Sequence, residues 1–123
     1  MIMRERKKIA IIGGGIAGLT FARRLTNEDY EIHIFEKKES FREIGAAISV
    51  FPNALCVIDD LDLLEEILQN SGQFKTVYLK TSKGKVLSKS EPKSDYPVIC
   101  IHRADLHSIL LKNIEANLYN DFS

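Results

Sequence analysis

Three glycines near the N-terminus have the spacing that lets a backbone approach a phosphate group. They form the pattern Gly13-x-Gly15-x-x-Gly18. Gly13 permits a sharp turn, Gly15 has no Cβ to keep a pyrophosphate from the backbone, and Gly18 lets a helix pack closely on a sheet. The N–H groups of Ile16 and Ala17 then face the phosphates, and the helix dipole adds positive potential. The pattern therefore predicts non-covalent binding of a dinucleotide.

A carboxylate further along the chain completes this pattern. Glu36 ends the second predicted strand, where it can accept hydrogen bonds from both hydroxyls of an adenosine ribose. It argues against a 2′-phosphate at this position because two anions repel, although Lys37 and Lys38 offset the repulsion in part. The alternative is a glycine turn that only packs a helix on a sheet, with Glu36 in solvent.

Hydrophobic periodicity predicts the elements that hold these residues. Residues 8–12 are an isoleucine-rich run typical of a buried parallel strand, residues 16–25 have helical spacing, and residues 31–36 alternate as a second strand. The fold class is therefore α/β, with a Rossmann-like βαβ unit.

The rest of the chain adds a β-hairpin to this unit. The further predicted elements are a loop at 37–51, a helix at 52–68 closed by a turn at 70–72, hairpin strands at 74–81 and 85–88, a strand at 98–101, an amphipathic helix at 103–118 and a frayed end at 119–123. A hairpin departs from the regular alternation of strand and helix in a dehydrogenase half and favours a flavoprotein plan.

Composition excludes several classes of function. The chain has 123 residues and no formal net charge, which suits one compact domain and gives no reason to expect nucleic acid or an anionic membrane as a partner. Basic residues before the apolar stretch 9–22 superficially resemble a secretory signal, but glycines interrupt the stretch and no good cleavage site follows. The stretch is too short to span a bilayer, so we expect a cytoplasmic location.

The cysteines and histidines predict no chemistry. Cys56 and Cys100 are far apart in sequence and predict reduced, partly buried thiols. His33, His102 and His107 form no recognisable ligand set, so we expect no metal and assign them no chemical role.

Two stretches after Glu36 resemble the single-component FAD-dependent aromatic-type monooxygenases. One is FREIGAAI at residues 41–48 with FPNAL at 51–55, and the other is IHRADL at 101–106 with Leu110. This family includes the para-hydroxybenzoate and salicylate hydroxylases and the tetracycline-inactivating monooxygenases. The resemblance implies FAD as cofactor, NAD(P)H as co-substrate, and hydroxylation of a small organic substrate with O2.

The resemblance also assigns roles to individual residues. It implies that Glu36 binds the adenosine ribose and that Lys37 lies beside the adenine end, while the three glycines hold the pyrophosphate turn. Arg42 matches an arginine close to the cofactor, and Arg103 matches one that reaches the ribityl and phosphate region. The small segment 45–47 is expected near the isoalloxazine. No catalytic residue is assigned, because the chemistry belongs to the cofactor.

Family members are roughly three times longer, with a cofactor domain followed by a substrate domain. Two later signatures, an Asp-Gly and a Gly-Asp motif, normally complete the FAD site, and neither dipeptide occurs in this sequence. We therefore interpret residues 1–123 as the N-terminal part of an FAD/NAD(P)-binding domain, largely without the substrate domain. Expected consequences are exposed apolar sheet surface, self-association through it, and weak FAD binding. The alternatives are an NAD-binding dehydrogenase module or sensor, and a catalytically silent remnant.

Overall fold

The computed structural model describes residues 5–25, 29–41 and 45–121. The chain divides into two compact units, called unit 1 (residues 1–45 and 103–123) and unit 2 (residues 46–102). One predicted cofactor residue, Arg42, lies outside the described residues.

The elements follow one another in a mixed α/β order. In chain order they are β1 (Lys7–Ile12), α1 (Ile16–Arg24), β2 (Tyr30–Phe35), β3 (Ala47–Val50), α2 (Pro52–Asp60), α3 (Leu64–Gln69), β4 (Ser71–Phe74), β5 (Val77–Lys80), β6 (Val86–Ser90), β7 (Val98–His102), α4 (Arg103–Leu111) and β8 (Asn117–Tyr119).

Unit 1 contains a three-stranded parallel sheet in the order β1-β2-β8. Ile11 pairs with Ile34, so β1 and β2 end at the same edge of the sheet. Helix α1 connects these two strands and packs against β1 and α4. The predicted βαβ unit is therefore confirmed. Its core consists of apolar side chains from strands and helices: Ile11, Leu19, Ala22, Ile32, Ile34, Leu106, Ile109 and Leu110.

Unit 2 contains an antiparallel sheet in the order β3-β7-β4 and a two-stranded β5-β6 sheet. The central strand β7 places Val98, Ile99 and Ile101 in the core of this unit. The β5-β6 pair confirms the predicted hairpin, although both of its strands are exposed along their whole length.

Several predicted elements differ from the structure. The end predicted to fray at 119–123 begins in β8, and the Asp121 N–H donates to the Lys38 carbonyl. The helix predicted at 103–118 ends at Leu111, and its last residues form β8 instead. The helix predicted at 52–68 is interrupted between α2 and α3, where Asp62 has a φ of 59°. The predicted loop at 37–51 contains β3, and two residues of the predicted turn at 70–72 belong to β4, which begins at Ser71. Both strands pair with β7, which is distant in sequence.

The prediction of a buried first strand is partly wrong. Ile11 is 8% exposed, whereas Ile12 is 82% exposed. Within the described residues β1 pairs only with β2, and the face that carries Ile12 is open. The expected exposed apolar sheet surface is therefore present.

Cys56 and Cys100 are free thiols as predicted, but both are exposed rather than partly buried. Among the residues that the structure describes, no helix is long and apolar enough to cross a bilayer.

Candidate functional site

The glycine turn lies between β1 and α1 in unit 1. Gly13 has a φ of +110°, a conformation that L side chains rarely adopt, and its N–H donates to the carbonyl of Phe35 at 2.8 Å. A Cβ at Gly18 would lie 2.1 Å from the carbonyl oxygen of Gly13. Only glycine fits at this crossing, so the first and third glycines of the pattern close the helix onto the strand, as predicted.

The start of α1 lies beside this turn. Gly15 is the N-cap residue with extended backbone, and no side chain in the described ranges caps the helix. The first intrahelical bond runs from the Leu19 N–H to the Gly15 carbonyl at 3.0 Å, which leaves the earlier amides outside the helical ladder. Ala17 is exposed and Ile16 is half-buried, so an anion can approach this helix end.

Glu36 faces the glycine turn rather than bulk water. Its Oε2 accepts the Gly14 N–H at 2.9 Å, and its Oε1 accepts the Lys38 N–H at 3.1 Å. The Lys38 amide, followed by the amides of Gly14 and Lys37, holds the pKa of this carboxyl below its ordinary value. Each oxygen keeps a lone pair for another donor, so the carboxylate can still accept ribose hydroxyls.

The end of β8 and the two residues after it fix Glu36 and the segment that follows it. The Glu36 N–H donates to the Tyr119 carbonyl at 2.8 Å, and the Asp121 N–H donates to the Lys38 carbonyl at 2.8 Å. The Asn120 side chain donates to the Glu39 carbonyl. These bonds fix the position of Glu36, the predicted ribose-binding residue, and they come from the last described residues of unit 1.

Gly14, the variable position of the pattern, is as constrained as its neighbours. It is buried, and a Cβ there would lie 2.5 Å from the ring of Phe41. Our sequence reasoning assigned no role to this glycine. The signal was available, because a third consecutive glycine exceeds what the pattern requires.

Helix α4 brings Arg103 and a buried histidine to the same site. Arg103 is exposed at the start of the helix, and its Cδ lies 3.6 Å from where a Cβ of Gly45 would be. One turn later, His107 Nε2 lies 2.6 Å from the Gly14 carbonyl oxygen. Because residues four apart share a helix face, Arg103 lies on the side of α4 that faces the glycine turn. We expected no chemical role for His107, and the apolar stripe of the helix gave no sign of its hydrogen-bond partner.

For the remaining predicted residues the structure gives exposure and position in the chain. Lys37 is exposed next to Glu36, and Gly45, Ala46 and Ala47 are exposed in or beside the start of β3. The structure therefore brings the glycine turn and Glu36 together in unit 1, and Arg103 lies at the start of the helix whose His107 contacts that turn. The contacts of all these residues with a cofactor stay predictions. The described part of the chain has no cluster of three or more potential metal ligands.

Comparison with known proteins identifies relatives of this arrangement. A family model described as an NAD(P)-binding Rossmann-like domain matches residues 11–49. The 6-hydroxynicotinate 3-monooxygenase of Pseudomonas fluorescens is 28% identical over 119 residues, which cover 89% of this chain and 30% of that protein. The FAD-dependent monooxygenase adrH of Penicillium rubens is 30% identical over 112 residues, which cover 86% of this chain and 25% of that protein.

A solved structure supports the same relationship. The tetrameric form of 2-methyl-3-hydroxypyridine-5-carboxylic acid oxygenase has a TM-score of 0.84 and 27% identity, over 96% of this chain and 32% of that one. The chain is homologous to the flavin-dependent monooxygenases. It corresponds to their N-terminal FAD/NAD-binding portion and spans about 30% of the length of the curated monooxygenases it matches.

Proposed function

We propose that this chain is the FAD-binding portion of a flavin-dependent monooxygenase, an oxidoreductase that hydroxylates a small organic substrate with NAD(P)H and O2. The observation that carries the proposal is the hydrogen bond between the Gly14 amide and Glu36 Oε2, beside a helix start that no described side chain caps. It places a carboxylate suited to a ribose next to amides suited to a diphosphate.

The fit of FAD rests on the accessible backbone of this turn. Gly13, Gly15 and Gly18 allow close approach, and the amides of Ile16 and Ala17 provide donors for the pyrophosphate. Nothing in the described turn blocks the helix end, because Gly15 has no side chain and Ala17 is exposed. The ADP half of the cofactor is therefore assigned to unit 1.

Charged residues extend the proposed site in two directions. Glu36 accepts the ribose hydroxyls and Lys37 lies at the adenine end. Arg103 binds the ribityl and phosphate region, and Arg42 contributes a second permanently charged guanidinium group close to the cofactor. Bound FAD supplies the redox chemistry, taking electrons from NAD(P)H and activating O2. The residues of this chain bind and orient it, and none of them is assigned a catalytic step.

A second candidate is an NAD-binding module of a dehydrogenase. The matched family model is described by NAD(P) binding, and NAD shares the ADP group that the glycine turn and Glu36 would hold. Arg103 distinguishes the two candidates, because only FAD places a ribityl chain beyond the diphosphate.

Titration of the purified chain with FAD, measured by equilibrium dialysis, tests the proposal. We expect weak but saturable binding that ADP displaces and FMN does not, since unit 1 contacts the half that FMN lacks. The Arg103→Met variant should lose more affinity for FAD than for ADP, because ADP has the diphosphate but lacks the ribityl chain. Binding of NAD in preference to FAD would support the second candidate. No binding of FAD, ADP or NAD would overturn both.

The substrate class, the self-association and the cellular location of the protein are proposals as well. The relatives are named for hydroxynicotinate and hydroxypyridine carboxylic acid substrates, which supports a small organic substrate here. One relative is described as tetrameric, and the exposed Ile12 face supports self-association of this chain. We also propose a cytoplasmic location.

A further inference from the structure

His107 is the only buried polar or charged side chain among the described residues. It lies on α4 with 2% of its surface exposed, surrounded in its helix by the buried residues Leu106, Ile109 and Leu110. Buried polar groups in proteins almost always have a hydrogen-bond partner, and that partner defines their role. Here the partner is the carbonyl oxygen of Gly14, 93 positions away in sequence.

The direction of this hydrogen bond follows from its partners. A carbonyl oxygen only accepts, so His107 Nε2 carries the hydrogen and donates across 2.6 Å. The ring therefore holds its proton at Nε2 while it contacts the turn. This assignment can be measured independently of any ligand.

Gly14 is consequently held at both ends of its backbone. Its N–H donates to Glu36 at 2.9 Å, its carbonyl accepts from His107, and the ring of Phe41 packs where a Cβ would lie. A run of three glycines has more backbone freedom than any other tripeptide, so a fixed turn needs external restraints. His107 provides the restraint from α4, the helix that also carries Arg103.

We propose that His107 is a positioning residue that holds the glycine turn in the shape required for a nucleotide diphosphate. It touches neither the ligand nor Glu36 directly and acts through the Gly14 carbonyl. The inference rests on the proposed nucleotide site, and it adds a link between the helix of Arg103 and the phosphate-binding turn.

The test compares two variants with the parent chain. His107→Gln keeps an N–H donor at about the reach of Nε2, and His107→Leu removes the donor while keeping an apolar side chain. We expect the Leu variant to bind ADP about tenfold more weakly at a temperature where it is fully folded, and the Gln variant to recover most of that loss. Ser108→Ala, at the exposed next position of α4, is the matched control and should bind ADP like the parent.

A ligand-free measurement separates this inference from the nucleotide assignment. In ¹⁵N NMR spectra of the parent chain, His107 should carry its hydrogen at Nε2, and the Gly14 amide, which donates to Glu36, should exchange slowly. In the Leu variant this amide should exchange faster than in the parent chain while the amides of β2 do not change, and in the Gln variant it should exchange as in the parent chain. A hydrogen at Nδ1 only, or equal loss of ADP affinity in the Gln and Leu variants, would overturn the proposal. If the parent chain binds no ADP, the nucleotide site fails and the exchange data alone decide the role of His107.

Discussion

The Glu36 carboxylate connects the acid–base chemistry of the chain to the shape of its glycine turn. Hydrogen bonds from the Lys38 and Gly14 amides favour its ionised form and lower its pKa from the ordinary value for a glutamate. A group with a lowered pKa in the folded state stabilises the fold above its unfolded pKa, and this contribution is lost as pH falls through the folded value.

We therefore expect Glu36→Gln to lose stability relative to the parent chain at neutral pH, with the difference shrinking under acid conditions. Chemical denaturation at about pH 7 and about pH 3 measures this. Glu39→Gln alters an exposed carboxylate in the same segment and serves as the control. A Glu36→Gln difference that does not depend on pH would show that its hydrogen bonds with the turn do not require the charge.

Two glycines of the pattern have separable roles. Gly15 has a φ of −79°, which any residue adopts, whereas a Cβ at Gly18 would lie 2.1 Å from the Gly13 carbonyl oxygen. We expect Gly18→Ala to lower the free energy of unfolding by more than about 2 kcal/mol, because backbone must move.

Gly15→Ala should leave thermal stability nearly unchanged and weaken ADP binding, because its methyl group lies where the diphosphate approaches. Thermal melts and ADP titrations of both variants provide the comparison. Equal destabilisation by the two substitutions would contradict this division between packing and binding.

Sequence predicted the residues whose role depends on the backbone, and missed those whose role depends on a distant partner. Gly13, Gly18 and Glu36 are recognisable because the strand-turn-helix pattern fixes their neighbours. His107 is not, because its partner Gly14 is brought close only by the packing of α4 beside α1. A histidine on an apolar stripe gives the same sequence pattern whether its ring is hydrogen-bonded in the core or exposed to solvent.

At the scale of elements, α1 closes the C-terminal end of α4. Arg23 donates from Nε to the Leu110 carbonyl at 2.6 Å and from its NH2 group to the Ile109 carbonyl at 3.2 Å, and it also contacts the Lys112 carbonyl. The Ile109 and Leu110 carbonyls belong to the last turn of the helix, where carbonyls have no intrahelical N–H donor, and Lys112 follows the helix directly. A planar guanidinium can bond several of them at once.

We expect Arg23→Met to lower the free energy of unfolding by about 1–3 kcal/mol, because it leaves helix-end carbonyls without donors. Arg23→Lys keeps the positive charge but not the forked guanidinium group, so it should recover part of the lost free energy of unfolding. Urea denaturation of the three proteins measures the differences. If the lysine variant matched the parent chain, charge alone would account for the contact.

Helix ends were harder to predict than helix starts. The apolar stripe of α4 continues through Ile114 and Leu118, but Asn113 has a φ of 56° and ends the helix before β8. Asp62 does the same between α2 and α3 with a φ of 59°. Asparagine and aspartate tolerate this left-handed conformation, so both residues were signals of a helix end. The prediction followed the hydrophobic periodicity instead and extended both helices past them.

Strands that depend on remote partners were also missed. β3 and β4 are four residues each, and both are held by antiparallel pairing with β7. Their local patterns are those of a loop and a turn. Such pairing carries no signal within a short window of sequence.

For the molecule as a whole, the open face of the parallel sheet has the strongest consequence. It presents Ile12, which pairs with Phe35, and the ring of Phe35 stacks on Tyr119 with centroids 4.8 Å apart. Exposed apolar sheet surface favours association.

We expect the chain to self-associate through this face, and Ile12→Lys to raise the dissociation constant at least about tenfold. Sedimentation equilibrium of parent and variant measures the change. Leu79→Lys, at a 61% exposed position of the hairpin in unit 2, is the control for location. A larger effect from the hairpin substitution would move the interface to unit 2.

Hydrogen bonds join Tyr119, Asn120 and Asp121 to Glu36 and the segment after it. These bonds also determine when this part of unit 1 can form during translation. This segment is translated some eighty residues before the strand that fixes it. Until β8 and the residues after it have left the exit tunnel, the Glu36 N–H lacks its acceptor and the segment after Glu36 is not yet held in place. The proposed nucleotide site can therefore be completed only after these residues have been synthesised, so a nascent chain arrested before Asn117 should not yet bind a nucleotide.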